Sequence, residues 1–358
     1  MKIKDVILQG DCIEHMRRLP DNSVDAVFAD PPYFMQLHKE LYRPDATAIQ
    51  AVNDDWDKFT DFNAYDTFTN EWLTEVKRVL KDTGTLWVIG TYHNIFRVGC
   101  CLQNQGFWIL NDIIWRKINP MPNFKGTRFA NAHETLIWCA KYPHAKYTFN
   151  YDSMKVFNDD LQMRSDWWIP VCNSSERLKD EKGRKVHTTQ KPEELLYRVV
   201  LAATKPGDII LDPFFGTGTT GAVAKKLGRH YIGIEQNPIY IEAAQKRIRD
   251  ITPIKKTDVT PYIRRETPKV PFGDLLAAGL VRAGCQLKDK SGRYKATVRA
   301  DGSIKAGKFI GSIHQVGAAC AHKTSPSCNG WTFWYIKDPS TDQWILLDTL
   351  RQRFSENQ

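Results

Sequence analysis

The sequence predicts an α/β protein, a mainly parallel sheet covered by helices on both faces, followed by a small separate α+β domain. Three observations predict it. Short apolar runs alternate with stretches of helical periodicity through the first two-thirds of the chain. One strand opens into a helix through glycines, and the charge balance changes abruptly near residue 250.

The alternation begins with residues 24–30 (VDAVFAD), a β-branched run stopped by Pro31 and Pro32. Apolar spacing predicts a helix over 70–81 and a strand over 84–90, with further strands at 107–115 and 134–140. Residues 192–204 place Leu195, Leu196, Val199, Val200 and Ala203 on one helical stripe, with Pro192 in its first turn. A strand at 208–213, a helix at 219–227, a strand at 230–235 and a helix from 237 to about 249 complete the series. The stretches 34–63 and 142–185 read as long loops of functional type. Residues 1–250 therefore form the main domain, 251–271 a basic Pro-containing linker, and 272–358 a small domain with Trp331, Trp334 and Trp344.

The net charge is +9, carried almost wholly by the last part of the chain. From residue 251 onward there are 17 Lys and Arg against 9 Asp and Glu, with 33 against 32 before it. A basic end on a neutral body points to a polyanion partner. The eight cysteines form no C-x-x-C pair, and no apolar run is long enough for a membrane helix, so a reducing, cytoplasmic setting is expected. His314, Cys320, His322 and Cys328 fit no common zinc spacing, and no metal is expected.

Two motifs carry chemistry. Residues 211–221 (LDPFFGTGTTG) form a strand–turn–helix whose glycines let backbone N–H groups approach a ligand, and Glu235 ends the next strand, where it suits a ribose diol. Gly216, Gly218 and Gly221 also satisfy the dinucleotide pattern, but only one strand and one helix follow them, so most of the sheet comes from upstream. Asp30-Pro31-Pro32-Tyr33 ends the upstream strand. The Asp30 carboxylate and Pro31 carbonyl are acceptors for the two hydrogens of an exocyclic amine, and Tyr33 offers a face on which a base can stack. The base would have to leave the duplex to reach them.

With His187-Thr188-Thr189-Gln190-Lys191-Pro192 between these motifs, the order resembles the amino-methylating DNA methyltransferases, in the permuted arrangement of the β group of adenine methyltransferases. The whole chain is similar to the cell-cycle-regulated adenine methyltransferases of alphaproteobacteria, whose target is GANTC. The resemblance implies a Rossmann-like domain, S-adenosylmethionine as cofactor, double-stranded DNA as partner, base flipping, direct in-line methyl transfer to adenine N6 and a role in replication and the cell cycle. It implies an association with the nucleoid through DNA, and the dimerisation common in the family, although no interface is legible.

Asp30, Pro31, Pro32 and Tyr33 would be catalytic. Asp11, Gln190, Lys191, Asp212, Phe214, Phe215, Gly216, Thr217, Gly218, Thr219 and Glu235 would hold the cofactor, with Phe214 or Phe215 near its adenine. Candidate DNA contacts are His38, Lys39, Tyr42, Arg43, Lys117, Phe124, Lys125 and Arg128, and in the small domain Lys323, Asn329, Trp331 and Arg351. Trp331 and Trp334 serve equally well as core residues. Family members with Ser in place of Asp30 usually modify cytosine N4. Besides that reaction, the residues leave open an RNA or protein substrate, a nicotinamide-dependent oxidoreductase and a non-catalytic DNA-binding protein.

Overall fold

The computed structural model describes residues 3–35, 57–123, 126–172, 176–255, 270–321 and 328–356, with 41–42, 48–49 and 258 between them. The chain divides into two compact units, Met1–Ile263 and Arg264–Gln358. Most of the basic segment 251–271 lies outside the described residues.

The first unit runs β1 (Val6–Gln9), α1 (Cys12–Arg17), β2 (Val24–Ala29), the two-residue strands β3 (Leu41–Tyr42) and β4 (Ala48–Ile49), α2 (Phe62–Val79), β5 (Leu80–Gly90) and α3 (Ile95–Asn104). It continues with β6 (Trp108–Lys117), β7 (His133–Ala140), α4 (Tyr151–Val156), β8 (Asp166–Ile169), α5 (Glu193–Ala203), β9 (Ile209–Asp212), α6 (Thr219–Lys226), β10 (His230–Glu235) and α7 (Pro238–Arg249).

Eight strands form one sheet in the order β1-β10-β9-β2-β5-β7-β6-β8. Every neighbouring pair is parallel except those involving β7, which runs antiparallel to both β5 and β6. The interior strands are apolar on both faces because both faces are covered. Val27 and Ala29 of β2 point into one core with α1, α2 and α3, while Ala26 and Phe28 point into the other with α5, α6 and α7.

The chain builds the sheet outward from β2 in one direction, then returns to lay β9 and β10 on the other side of β2. The strand order therefore reverses between β2 and β9, and such a switch point opens a crevice at the carboxyl ends of the strands. Because β7 is antiparallel, its first residues share that edge with the last residues of β2, β5, β6, β9 and β10.

Two expectations are corrected here. The helix expected over 70–81 begins eight residues earlier, at Phe62, capped by Asp61 accepting from the Ala64 N–H at 2.8 Å, and ends at Val79. Its early turns mix Phe62, Ala64, Tyr65 and Phe68 with Asn63, Asp66 and Thr67, and of their side chains Tyr65 and Thr69 extend the buried stripe of Trp72, Leu73, Val76 and Val79. The stretch 142–185 is not all loop. It contains α4 and β8, whose Trp167 and Ile169 are buried against the sheet edge. No described helix is long and apolar enough to cross a membrane.

The second unit adds α8 (Phe272–Ala277), β11 (Gln286–Asp289), β12 (Lys295–Val298), β13 (Ile304–Ala306), β14 (Phe309–Gly311), α9 (Ile313–Ala321), α10 (Gly330–Phe333), β15 (Trp334–Lys337), β16 (Trp344–Leu346) and α11 (Leu347–Glu356). Its six strands form an antiparallel sheet ordered β14-β13-β12-β11-β15-β16. Trp331 and Trp334 lie in its core, and the Trp334 indole N–H donates to the Ile313 carbonyl at 2.9 Å.

Candidate active site

The carboxyl edge of the first unit's sheet carries a cavity of about 730 Å³. Its wall contains Asp11, Asp30 to Tyr33, Lys191, Asp212 to Thr217, Thr219 and Glu235, so the two sequence motifs share one space. Pairing of Ala26 with Ile210 and Val27 with Leu211 sets Asp212 level with Phe28, so Asp30 and Asp212 stand at the ends of neighbouring strands and face the same cavity at the switch point.

The Asp30 loop is held from behind. Asp57 accepts the backbone N–H groups of Tyr33 and Phe34 on one oxygen, both at 2.7 Å, and that of Met35 on the other at 3.0 Å. The Tyr65 hydroxyl donates to the Pro32 carbonyl at 2.8 Å. Pro31 and Pro32 have no N–H to satisfy, so these bonds fix the loop with nothing of its backbone competing. The clamp also holds Phe34 in the left-handed region, at φ 51°.

Around Asp30 lies a buried charged group. Lys191 Nζ donates to Asp30 Oδ2 at 2.6 Å, and the Tyr33 hydroxyl lies 2.9 Å from Asp30 Oδ1 and 3.1 Å from Glu134 Oε2. Lys117 Nζ pairs with the other Glu134 oxygen at 2.9 Å. Burial lifts the Asp30 carboxyl above the usual range, with Lys191 limiting the lift. At Glu134 burial acts in the same sense but is outweighed by Lys191 and Lys117, which hold that carboxyl low. Burial also lifts Asp212 to about 7, although Thr220 and the Phe214 N–H both donate to it.

In the glycine loop, Glu235 accepts the Gly216 N–H on one oxygen and the Asn237 N–H on the other, each at 2.8 Å. Asp11 caps α1 by accepting from the Glu14 N–H at 2.9 Å and faces the same cavity. Phe214 lines the cavity with its ring edge-on to Trp72, at 5.5 Å. Thr217 and Thr219 are buried in the wall, and Thr219 Oγ1 donates to the Lys191 carbonyl at 3.3 Å.

Several assignments change. Phe215 touches the cavity, but its ring is buried, stacked on Tyr231 at 5.9 Å and seated where Gly233 lacks a Cβ, so the partly buried Phe214, which packs on Trp72 and Phe68 and also lines the cavity, is the phenylalanine left to meet a ligand there. Gly218 does not line the cavity. It caps α6 at φ 76°, and a Cβ there would come 2.7 Å from the Ala244 Cβ. Gln190 lines the cavity as expected and also ties down the neighbouring chain, accepting from the Leu178 N–H at 3.0 Å and donating to the Glu176 carbonyl at 3.1 Å. Lys191 serves Asp30 directly. Lys117, expected on DNA, is committed to Glu134.

Among the other DNA candidates, Trp331 is buried and cannot stack on a base. Arg351 lies over the Trp331 ring at 5.1 Å and pairs with Asp348, and the Asn329 side chain caps α10 by accepting from the Trp331 N–H at 3.1 Å. Arg128 is exposed and donates to the Tyr92 hydroxyl at 2.9 Å. His38, Lys39, Arg43, Phe124, Lys125 and Lys323, and the Tyr42 side chain, lie outside the described residues. Asp57 and Glu134 carry no signal in the sequence, being ordinary acids far from either motif.

A glycine-loop cavity at the switch point, opening onto an acceptor-lined loop, has the form of a ligand site in an open α/β sheet. A family model described as DNA methylase matches residues 24–246, and a second, described as Restriction Enzyme Adenine Methylase Associated, matches 254–358. The chain belongs to the N6/N4 DNA methylase family, and it is an enzyme of the DNA methyltransferase class. It is 49% identical to the type II methyltransferase M.HinfI of Haemophilus influenzae over 351 residues, covering 98% of this chain and 97% of that one. It is 42% identical to the type II methyltransferase M2.MboI of Moraxella bovis, covering 73% of this chain and 93% of that one. Among solved structures, the PvuII cytosine-N4-specific DNA methyltransferase shares the fold at a TM-score of 0.53 and 22% identity, covering 72% of this chain and 91% of that one.

Proposed function

We propose that this enzyme methylates the exocyclic N6 of adenine in double-stranded DNA, with GANTC as its target and S-adenosylmethionine as its cofactor. The observation that carries the reading is the shared cavity, in which the Asp30 loop and the Gly216–Glu235 loop face one space.

The charge of that space suits the cofactor. Asp11, Asp30, Asp57, Asp212 and Glu235 line it against Lys58 and Lys191, and no arginine is among the described lining residues. A cavity rich in carboxylates favours a cationic sulfonium and disfavours the two phosphates of a nicotinamide dinucleotide. S-adenosylmethionine supplies an electrophilic methyl group. Glu235 would hold its ribose, the Gly216 to Thr219 segment and Asp11 its methionine end, and Phe214 would lie near its adenine.

The protein's own task is to present an amine. Asp30 and the Pro31 carbonyl accept its two hydrogens and turn the nitrogen lone pair toward the cofactor side of the cavity. Burial makes Asp30 a better acceptor than an ordinary carboxylate for the proton released after transfer. Asp30, where serine accompanies cytosine specificity in the family, favours adenine. The 49% identity to M.HinfI, running through both units, supports a duplex DNA substrate.

The test is transfer of labelled methyl to duplexes with and without GANTC, followed by nucleoside mass analysis, with Asp30→Ala as control. N6-methyladenine confined to GANTC and lost in the variant is the expected result. Label in N4-methylcytosine, or none in DNA, would overturn it.

A further inference from the structure

We propose that Glu134 is a positioning residue which takes over the Tyr33 hydroxyl's hydrogen bond when Asp30 engages the target amine. The inference rests on the function proposed above and assigns a role to a side chain that neither sequence motif contains.

The geometry is that of one donor between two acceptors. The Tyr33 hydroxyl has a single hydrogen and stands 2.9 Å from Asp30 Oδ1 and 3.1 Å from Glu134 Oε2, so it serves one carboxylate at a time. Turning the O–H bond exchanges the acceptors without moving the ring. The proton stays on the tyrosine oxygen throughout, because burial, reinforced by the two carboxylates, raises that hydroxyl well above its ordinary value.

Each carboxylate is equipped for a different part of the exchange. Glu134 stands at the start of β7, buried, with its second oxygen anchored to Lys117 at 2.9 Å. It is therefore a fixed acceptor whose orientation does not depend on substrate. Asp30 is already bonded to Lys191 at 2.6 Å, and every further donor draws negative charge from it. Releasing the Tyr33 hydroxyl strengthens Asp30 as an acceptor when the amine arrives. Without Glu134, that release would leave a buried phenol with no partner, so Asp30 would have to keep it.

A merely structural Glu134 would act through Lys117 and the packing of β6 against β7, and its removal would slow the enzyme whether or not Tyr33 bears a hydroxyl. The test is a double-mutant cycle in single-turnover methyl transfer, using Glu134→Gln, Tyr33→Phe and the combination, with equilibrium binding of S-adenosylmethionine measured in parallel. Glu134→Gln is expected to slow transfer about tenfold in the native background and less than about twofold in the Tyr33→Phe background, with cofactor affinity changed less than about twofold. Equal slowing in both backgrounds, or none in either, would overturn the proposal. Glu134→Gln combined with Lys117→Met removes both charges and guards against a folding defect from an orphaned lysine; the same dependence on Tyr33 is expected. Failure of the native enzyme itself to methylate DNA would count against the proposed function, which keeps the two failures apart.

Discussion

Replacing Lys191 with methionine tests the electrostatics on which the site depends. The ammonium is buried, with 8% of its side chain exposed, and bonds at 2.6 Å to Asp30, whose own side chain is 18% exposed. Methionine keeps the length of the stem and removes the charge. An uncompensated buried carboxylate costs about 3–5 kcal/mol when its partner is removed. Protonation offers Asp30 an escape. Without Lys191 its folded pKa rises further above the unfolded value, so the folded state binds a proton that the unfolded state does not. Stability of the variant relative to the native protein should therefore recover as pH falls toward the unfolded value.

Urea denaturation at about pH 7.5 and about pH 5 reads this directly, with an expected deficit of about 3 kcal/mol at the higher pH and a clearly smaller one at the lower. Lys191→Met with Asp30→Asn should return to within about 1 kcal/mol of the native protein, because no charge is left unpaired. A single variant as stable as the native protein, or a deficit independent of pH, would refute the reasoning.

Three further outcomes follow from the same structure. His187 is held down to about 4 by burial and by Lys191 and Arg177, so its neutral form contributes stability above pH 6.5 that is lost as pH falls toward 4; His187→Gln should remove up to about 3 kcal/mol of that acid dependence in denaturation series. Gly218→Ala combines a positive φ with a 2.7 Å approach to Ala244 and should cost about 2–4 kcal/mol, measured by thermal melting. Asp57→Ala frees three backbone N–H groups and should slow methyl transfer by about tenfold or more, while binding of S-adenosylmethionine, measured by calorimetry, weakens far less.

Much of the fold was legible because interior strands of a doubly covered sheet are apolar along their whole length. β2, β9 and β10 announce themselves in this way, and the stripe of α5 contains the buried residues that its spacing predicts. The first turns of α2 were not legible, since Asn63, Asp66 and Thr67 interrupt the apolar residues there and only tertiary contact buries Tyr65 and Thr69. β8 was hidden inside a polar stretch, because four residues on a sheet edge give too short a pattern. Trp331 was ambiguous, as an aromatic residue beside polar ones fits a core or a surface equally, and burial settles it as core.

The sequence by itself determined the chemistry of the two loops, because proline, glycine and a carboxylate at a strand end impose their backbone and charge locally. It determined the order of the motifs as well. What only the tertiary structure decided is which side chains meet them. Glu134, paired with Lys117, reaches the Asp30 loop because strands far apart in sequence end on one edge of the sheet, Asp57 reaches it from the segment before α2, and Lys191 meets Asp30 across 161 residues. Strand pairing and crossover direction set those distances, and neither is encoded in the residues' immediate neighbours.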